Sequence, residues 1–247
     1  MKNCGKIGAI VQARMGSERL PGKSLMTIGD KPLLVHIIEN LKSSKYLSRI
    51  VLATTERKED KVLMELAEKL EVSRFAGSEK DVLARFNDAA VKFELNVVVR
   101  ICGDNILTDI NGMERTVAQY LQKKPDLAIN GGKDGYPLGT GVEVFPTKLL
   151  QNLNKTVNSL IEREHVTLHI YNKRKKYHIL ALKAPVDYGH LNLRLTIDTP
   201  EDLLLMRLLY EKLNEGGKDF KLPFIAEYIR NHPEIKKINS HIKQRRF

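Results

Sequence analysis

Short apolar runs alternate with segments of helical periodicity over the first 110 residues, and this alternation restricts the fold more than any other feature of the sequence. The apolar runs have the length of buried strands, and the segments between them place apolar residues three or four apart, as amphipathic helices do. The predicted strands are Ile7–Val11, Ile50–Ala53, Val72–Phe75 and Val97–Cys102. This order predicts an α/β fold, a doubly wound and mostly parallel sheet with helices on both faces.

The pattern changes between residues 131 and 189. A glycine-rich stretch leads into a predicted strand at Val142–Phe145, two helices around 149–153 and 161–171, and a strand within Tyr177–Ala184. We expect a small α+β insertion here, which binds an acceptor or a second subunit. A strand at Leu193–Ile197 and a helix from Pro200 then return to the main sheet. The predicted division is therefore a nucleotide-binding core of residues 1–130 and 190–247, with an inserted acceptor and dimerisation subdomain of residues 131–189.

Composition limits the class of protein. The 247 residues are 42% hydrophobic, enough for a large core, and no apolar run approaches the roughly 20 residues of a membrane-spanning helix. The two cysteines, Cys4 and Cys102, lack metal-ligand spacing, so we expect structural thiols in a cytoplasmic protein without membrane insertion. The net charge of +11 favours anionic partners such as phosphorylated small molecules or nucleic acid, although part of it lies in a basic C-terminal tail that we expect to be solvated.

The loop after the first predicted strand concentrates cations and glycines. Doubly wound sheets bind ligands at this edge, where glycines let backbone N–H groups approach an anion and basic side chains donate to phosphate oxygens. The loop is neither a Walker A motif, because Ser17 stands five residues before Gly22, nor a G-x-G-x-x-G motif. On charge alone, an ordinary basic surface loop is an equally open interpretation. The cations are Arg14, Arg19 and Lys23.

The run A-R-x-G-S-x-R-L-P-G-K at Ala13–Lys23 resembles the nucleotide-binding signature of the cytidylyltransferase family, which activates acidic sugars such as 3-deoxy-manno-octulosonate. Further segments resemble its SpsF-like branch, named for spore-coat polysaccharide biosynthesis, and the resemblance covers about residues 6–215. It implies a Rossmann-like fold of the nucleotide-diphospho-sugar transferase type, CTP as substrate, Mg²⁺ as cofactor and a homodimer. The supporting segments are ATT at 53–55, FAGSEKDVL at 75–83, VVRICGD at 98–104, EREHVT at 162–167 and LTIDTPED at 195–202.

Two aspartates follow predicted strands at the edge that carries the basic loop. Mg²⁺ binds through one or two carboxylates plus substrate phosphates, and the family carries its metal on matching aspartates, so the resemblance implies a metal site at Asp104 and Asp198. Capping of the next helix does not require Asp198, because Thr199, Pro200 and Asp202 already form a capping-box pattern. The loop after Asp104 lacks the proline that is usual in the branch.

The resemblance also assigns the remaining site residues. Structural roles stay open for several of them: a helix N-cap at Ser78, a surface ion pair at Arg85 and a structural histidine at His165. The predicted catalytic residues are Arg14, Lys23 and Asp104. The predicted nucleotide-binding residues are Ala13, Arg14, Gly16, Ser17, Arg19, Lys23, Thr54, Gly77, Ser78, Asp81 and Arg85. The predicted acceptor-binding residues are Arg100, Asp109, Glu143, Glu162 and His165.

These features together predict an enzyme that transfers CMP from CTP to an acidic sugar or phosphonate-like acceptor, releasing pyrophosphate for surface glycan biosynthesis. A nucleotide-sugar-dependent glycosyltransferase is the alternative enzyme, but its usual D-x-D motif does not follow the fourth strand, which reads Gly103-Asp104-Asn105. A nucleic-acid-binding protein is the alternative of another class, suggested by the charge. Aromatic residues are only 6% of the chain and no nucleic-acid module is recognisable, so we expect small-molecule partners and no nucleic acid.

Overall fold

The computed structural model describes residues 5–131 and 135–244, so Cys4 and the last three residues of the basic tail lie outside it. Strands and helices alternate along the chain. The strands are β1 (Ile7–Gln12), β2 (Thr27–Ile28), β3 (Lys31–Pro32), β4 (Arg49–Thr55), β5 (Ser73–Gly77), β6 (Val97–Cys102), β7 (Leu127–Asn130), β8 (Val142–Pro146) and β9 (Ile179–Leu182). The helices are α1 (Leu33–Lys42), α2 (Lys61–Lys69), α3 (Val82–Lys92), α4 (Ile110–Lys123), α5 (Thr147–Thr156), α6 (Leu160–Glu164), α7 (Leu168–Asn172), α8 (Pro200–Glu215) and α9 (Leu222–Asn231).

Seven of the strands form one sheet in the order β5-β4-β1-β6-β8-β7-β9. Neighbours among β5, β4, β1 and β6 are parallel, β8 is antiparallel to both its neighbours, and β9 is parallel to β7. The prediction of a doubly wound, mostly parallel sheet is confirmed. The strand order reverses between β1 and β6, and in such sheets the crevice outside the carboxyl ends of the strands at that point binds the ligand.

The sheet is buried on both faces, which is why its central strands are apolar throughout. Successive side chains of β1 point to opposite faces, and they join different cores. Ala9 and Val11 pack in the cluster that includes α1, α8 and α9, whereas Ile10 packs in the cluster that includes α3 and α5. In the described residues no helix is long and apolar enough to cross a membrane.

The predicted strand at Leu193–Ile197 is wrong: the segment is extended but belongs to no strand. Both sides of β6 are occupied, by β1 and β8, so the segment has no place beside it in the sheet. It bonds to two loops instead. The Leu195 N–H donates to the Leu138 carbonyl (2.8 Å) and the Ile197 N–H to the Asp104 carbonyl (3.0 Å). These bonds bring the end of the segment to the loop after β6.

The region 131–189 also differs in detail from the prediction. β8 and β9 continue the main sheet, and the helix predicted around 161–171 is divided into α6 and α7. The division falls at Val166, which has a left-handed backbone (φ 52°) and a buried side chain in the core beside α3. The proposed boundaries of an inserted subdomain stay a prediction.

The capping box at the start of α8 is confirmed. The Thr199 hydroxyl accepts the Asp202 N–H, and the Asp202 carboxylate accepts the Thr199 N–H (3.1 Å). Asp202 also accepts the backbone N–H of Asp198 (3.0 Å). The carboxylate of Asp198 therefore takes no part in capping and is available to the loops beside it.

Gly139 supports the extended segment by close approach. Its φ is +96°, and a Cβ there would overlap backbone atoms of Leu195 and Thr196. We expect Gly139→Ala to lower the free energy of unfolding by more than about 2 kcal/mol, because left-handed strain adds to the overlap. Gly217→Ala is the control, since Gly217 has φ +64° but no described atom within 4 Å of its Cβ position, and it should cost about 1 kcal/mol. Equal losses in urea denaturation would refute the close-approach argument.

Candidate active site

A cleft opens at the switch point between β1 and β6. The loop after β1, the loop after β6 and the residue after the extended segment form its walls, together with the start of α3 and the end of α6. The lining residues are Gln12, Ala13, Arg14, Ser17, Glu18, Arg19, Lys23, Ser24, Glu79, Val82, Arg85, Cys102, Gly103, Asp104, Glu164, His165 and Asp198.

Lys23 joins the three segments that meet in the cleft. Its Nζ donates to Oδ2 of Asp104 (3.0 Å), to Oδ1 of Asp198 (3.0 Å) and to the carbonyl of Ile197 (2.7 Å). Burial would lower the pKa of Lys23, but the two carboxylates outweigh that effect and raise the pKa above its ordinary value. Lys23 is therefore a fixed cation between two carboxylates.

Asp198 is paired with three cations. Besides Lys23, its Oδ2 contacts Nη2 of Arg19 (3.1 Å) and Nη2 of Arg194 (2.9 Å). Burial would raise the pKa of Asp198, but Lys23, Arg19 and Arg194 lower it below its ordinary value. Asp198 is thus an ionised carboxylate with one oxygen turned toward Lys23 and the other toward two guanidinium groups.

Hydrogen bonds fix the centre of the basic loop, residues 13–23 after β1. The Gly22 N–H donates to the Met15 carbonyl (2.8 Å), where the φ of +74° at Gly22 favours glycine. The Met15 N–H donates to Oδ1 of Asp60 (2.7 Å), a carboxylate only 1% exposed that also accepts the Thr55 hydroxyl. Asp60 therefore anchors the loop to the end of β4. The sequence gives no sign of this role, because Asp60 resembles an ordinary residue at a helix start.

Arg85 is a buried cation at the cleft wall, with 3% exposure. Its Nη1 donates to the Ser78 carbonyl (2.6 Å), while its Nε has no hydrogen-bond partner among the described residues. Burial and the nearby charge of Arg14 lower the pKa of Arg85 to about 10. Arg14 itself bonds to Glu79 (3.2 Å), another lining residue. Arg85 is thus an incompletely paired guanidinium beside the cleft.

Five other predicted nucleotide-binding residues are not among those that line the cleft: Gly16, Thr54, Gly77, Ser78 and Asp81. Asp81 caps α3 by accepting the Ala84 N–H (2.9 Å) and pairs with Arg163 (2.7 Å), and Ser78 Oγ accepts the Asp81 N–H (3.1 Å). Gly77 packs against Arg85, because a Cβ at Gly77 would lie 3.2 Å from Arg85 Cγ. Thr54 is buried in β4, and Gly16 lies in the basic loop with open space around its Cβ position in the described structure.

The predicted acceptor residues Arg100 and Glu143 form a partly buried network behind the cleft. Arg100 Nη1 bonds to Glu143 Oε2 (2.8 Å), and Tyr171 donates to Glu143 Oε1 (2.6 Å). Burial would lower the pKa of Arg100, but Glu143 reverses this and raises it. Arg100 also donates to Gln12 Oε1 (3.3 Å), which lines the cleft. The network therefore reaches the cleft through Gln12.

The remaining predicted acceptor residues, His165, Glu162 and Asp109, lie at different sites in the structure. His165 lines the cleft, and burial lowers its pKa. Glu162 instead pairs with His169 (2.7 Å) and with Asn172 (2.9 Å), and Asp109 precedes α4 in a different surface depression. Of the predicted acceptor residues, the cleft lining described here includes only His165.

Several lining residues were not predicted. Gln12 and Cys102 are opposite each other at the ends of β1 and β6, so their place as last residues of adjacent parallel strands was the available signal. Burial raises the pKa of the Cys102 thiol to about 11, which favours the protonated thiol at neutral pH. The other unpredicted lining residues are Glu18, Ser24, Glu79, Val82 and Gly103, and Glu164 of the EREHVT segment that carries the resemblance also lines the cleft.

The oxygen atoms around Lys23 have the chemistry of a magnesium site. One oxygen of Asp104 and one of Asp198 converge on the same nitrogen, beside the Ile197 carbonyl. Within residues 5–131 and 135–244, no group of three or more His, Cys, Asp or Glu side chains could hold a metal. Two carboxylates completed by substrate phosphates and water are the usual magnesium arrangement in phosphoryl-transfer sites. The residues present therefore fit Mg²⁺ bound together with a polyphosphate.

Comparisons with known proteins agree with this geometry. The family model described as cytidylyltransferase matches residues 8–229. An uncharacterized protein of Methanocaldococcus jannaschii is 37% identical over 98% of both chains. The spore coat polysaccharide biosynthesis protein SpsF of Bacillus subtilis is 33% identical over 83% of this chain and 87% of its own.

Two solved structures show the same fold. A cytidylyltransferase from Leptospira borgpetersenii serovar Hardjo-bovis superposes with a TM-score of 0.87 at 31% identity, covering 98% of this chain and all of that one. CMP:2-keto-3-deoxy-manno-octonic acid synthetase, solved in complex with CTP, gives 0.64 at 16% identity over 84% and 99% of the chains, a likeness of fold alone. The protein therefore belongs to the cytidylyltransferase family and is a nucleotidyltransferase.

Proposed function

We propose that the protein transfers CMP from CTP to an acidic sugar or phosphonate-like acceptor, in a reaction that requires Mg²⁺ and releases pyrophosphate. The observation that carries this proposal is the contact of Lys23 with both Asp104 and Asp198 in a cleft lined by the basic loop. It supports a site in which cations and a metal ion surround a triphosphate.

The names of similar proteins support the substrate class. The Bacillus subtilis relative is a spore coat polysaccharide biosynthesis protein, which favours a role in surface glycan synthesis. The synthetase solved with CTP acts on a sugar acid, which favours CTP and an acidic acceptor. The net charge of +11 suits two anionic substrates.

Different residues of the cleft have different roles in the proposed reaction. Arg14, Arg19 and Lys23 bind oxygens of the triphosphate, and the backbone of the basic loop lies against it. Mg²⁺ held by Asp104 and Asp198 would neutralise phosphate charge. An acceptor oxygen attacks the α-phosphorus in line, and pyrophosphate leaves. This chemistry depends on positioning and charge rather than on a protein nucleophile.

Arg85 contributes a further donor to the nucleotide. Its Nε has no hydrogen-bond partner among the described residues, and its pKa is lowered to about 10 by burial and by Arg14, which indicates an incompletely paired guanidinium. A nucleotide oxygen would complete its hydrogen bonds. Asp81, Ser78 and Gly77 hold the turn that contains the carbonyl partner of Arg85.

The acceptor is proposed to enter on the side of α6. His165 and Glu164 line the cleft there, and the partly buried network of Arg100 and Glu143 fixes Gln12 on its floor. We also propose that the region 131–189 contributes to acceptor binding and forms the contact between the subunits of a homodimer. The homodimer is tested by light scattering on a sizing column, where a mass near 28.1 kDa would reject it.

A screen for pyrophosphate release tests the proposed activity. The four common nucleoside triphosphates are crossed with a panel of acidic sugars and phosphonates, with pyrophosphatase and a phosphate dye present. We expect release with CTP and at least one acidic acceptor, and only when Mg²⁺ is added. Preference for another triphosphate, or equal release in EDTA, would reject the substrate or the metal.

Substitution of the central ion-pair group tests the mechanism. We expect Lys23→Ala and Asp104→Ala each to lower kcat at least about 100-fold, the scale of losing one electrostatic contact to a transition state. Lys31→Ala is the matched control, because Lys31 is an exposed lysine paired with Glu39 (2.8 Å) and should retain full activity. Near-normal turnover by either cleft variant would remove it from the mechanism.

Substitution of Arg85 should separate stability from binding. We expect Arg85→Met to weaken CTP binding about tenfold or more, the scale of a lost charged hydrogen bond. The free energy of unfolding should stay unchanged or rise, because the substitution removes a buried and incompletely paired charge. Titration calorimetry and urea denaturation measure the two quantities. Arg74→Met, at an exposed arginine paired with Glu68, is the control and should retain CTP affinity. A large loss of stability without a loss of affinity would make Arg85 structural.

A further inference from the structure

The C-terminal segment, residues 233–244, begins beyond the last residue of the family match at 229. It packs beside the extended segment that leads to Asp198, in a depression lined by Leu193, Arg194, Asn239 and Gln244 among others. Neither the family model nor the proposed reaction assigns it a role. Its contacts lead directly to the carboxylate proposed as a metal ligand.

Arg194 is the link between the C-terminal segment and the cleft. Its Nε and Nη2 donate to the two oxygens of Asp202 (2.9 and 3.0 Å), and its Nη2 also donates to Oδ2 of Asp198 (2.9 Å). Asp202 has no exposed surface, so this bidentate pair is held in one geometry. Arg194 therefore holds Oδ2 of Asp198 from a fixed position, together with Arg19 of the basic loop.

Asn239 fixes this pair from the C-terminal segment. It is 3% exposed, and its Nδ2 donates both to Oδ1 of Asp202 (2.9 Å) and to the carbonyl of Arg194 (3.0 Å). Oε1 of Gln244 accepts a hydrogen bond from Nη1, the third nitrogen of the Arg194 guanidinium group. The side chain and backbone of Arg194 are thus both held by residues that follow the family match.

We propose that the C-terminal segment is a positioning element of the metal site. Asn239 and Gln244 orient Arg194, and Arg194 holds Oδ2 of Asp198 so that Oδ1 faces Lys23 and the cleft. This inference rests on the proposed function, because it assigns to Asp198 the role of metal ligand. Groups that orient a metal ligand commonly change metal affinity 10–100-fold when they are removed.

The test measures the part of CTP affinity that depends on Mg²⁺. CTP is titrated calorimetrically into the full-length protein once with Mg²⁺ and once with EDTA, and the ratio of the two Kd values is compared between variants. We expect Asn239→Ala to reduce this ratio about tenfold and to leave the Kd in EDTA within about twofold, because the cationic loop is untouched. Gln244→Ala, at the protein surface, should act in the same direction by about threefold.

Matched variants separate positioning from stability. Ser240→Ala and Lys243→Ala alter exposed side chains of the same segment and should keep the wild-type ratio. Urea denaturation of each variant shows whether it is folded, and Gln244→Ala keeps the test available if Asn239→Ala is unfolded. If folded Asn239→Ala and Gln244→Ala both keep the wild-type ratio, the inference is wrong while the proposed function stands. If the wild-type protein itself binds CTP equally in Mg²⁺ and EDTA, the proposed metal role fails and this inference fails with it.

Discussion

The contact of one ammonium group with two carboxylates determines the geometry of the cleft. Lys23 bonds to residues 81 and 175 positions away, and it thereby joins the basic loop, the end of β6 and the extended segment. Without Lys23, Asp104 would lose the ion-pair partner described for it, whereas Asp198 would keep Arg19 and Arg194. Lys23 therefore holds the basic loop against the two carboxylates proposed to bind the metal ion. In the proposed reaction a triphosphate would offer Lys23 and Arg19 competing oxygens, while Asp198 would keep Arg194 as a partner.

The other cations of the cleft differ in how completely they are paired. Arg100 is enclosed by Glu143, Thr167 and Gln12, and this pairing makes it a structural support. Arg85 donates to one described carbonyl, and burial together with Arg14 lowers its pKa, an effect that nearby carboxylates partly offset. Arg85 is therefore less completely paired than Arg100. This difference in pairing depends on residues far apart in the chain. The sequence does not show it, and both arginines were therefore predicted as binding residues.

Sequence patterns predicted the elements whose burial leaves a local signal and missed those that depend on tertiary contacts. The strands β1, β4 and β6 were predicted because interior parallel strands, buried on both faces, are mostly apolar, whereas β5 is a partly exposed edge strand. The prediction failed at Leu193–Ile197, where Leu193, Leu195 and Ile197 are buried but the segment bonds to two loops, because burial does not imply strand pairing. The break between α6 and α7 carries no glycine or proline, since it occurs at Val166. The positions of Lys23, Asp104 and Asp198 followed from the family resemblance and from their places after predicted strands, although the segment before Asp198 is not a strand of the sheet. The anchoring role of Asp60 depends on tertiary contacts that leave no local pattern.

Asp202 shows how one local motif serves two levels of structure. From the sequence it is the reciprocal acid of a capping box, and it performs that role with Thr199. Its carboxylate also accepts the Asp198 N–H and pairs with Arg194, so the group that begins α8 also fixes the backbone and the charge environment of Asp198. Because Asp202 is fully buried and bonds to Thr199, Asp198, Arg194 and Asn239, its carboxylate links the helix start, the proposed metal ligand and the C-terminal segment in one network. A substitution in the C-terminal segment at Asn239 would therefore reach Asp198 through Asp202 as well as through Arg194.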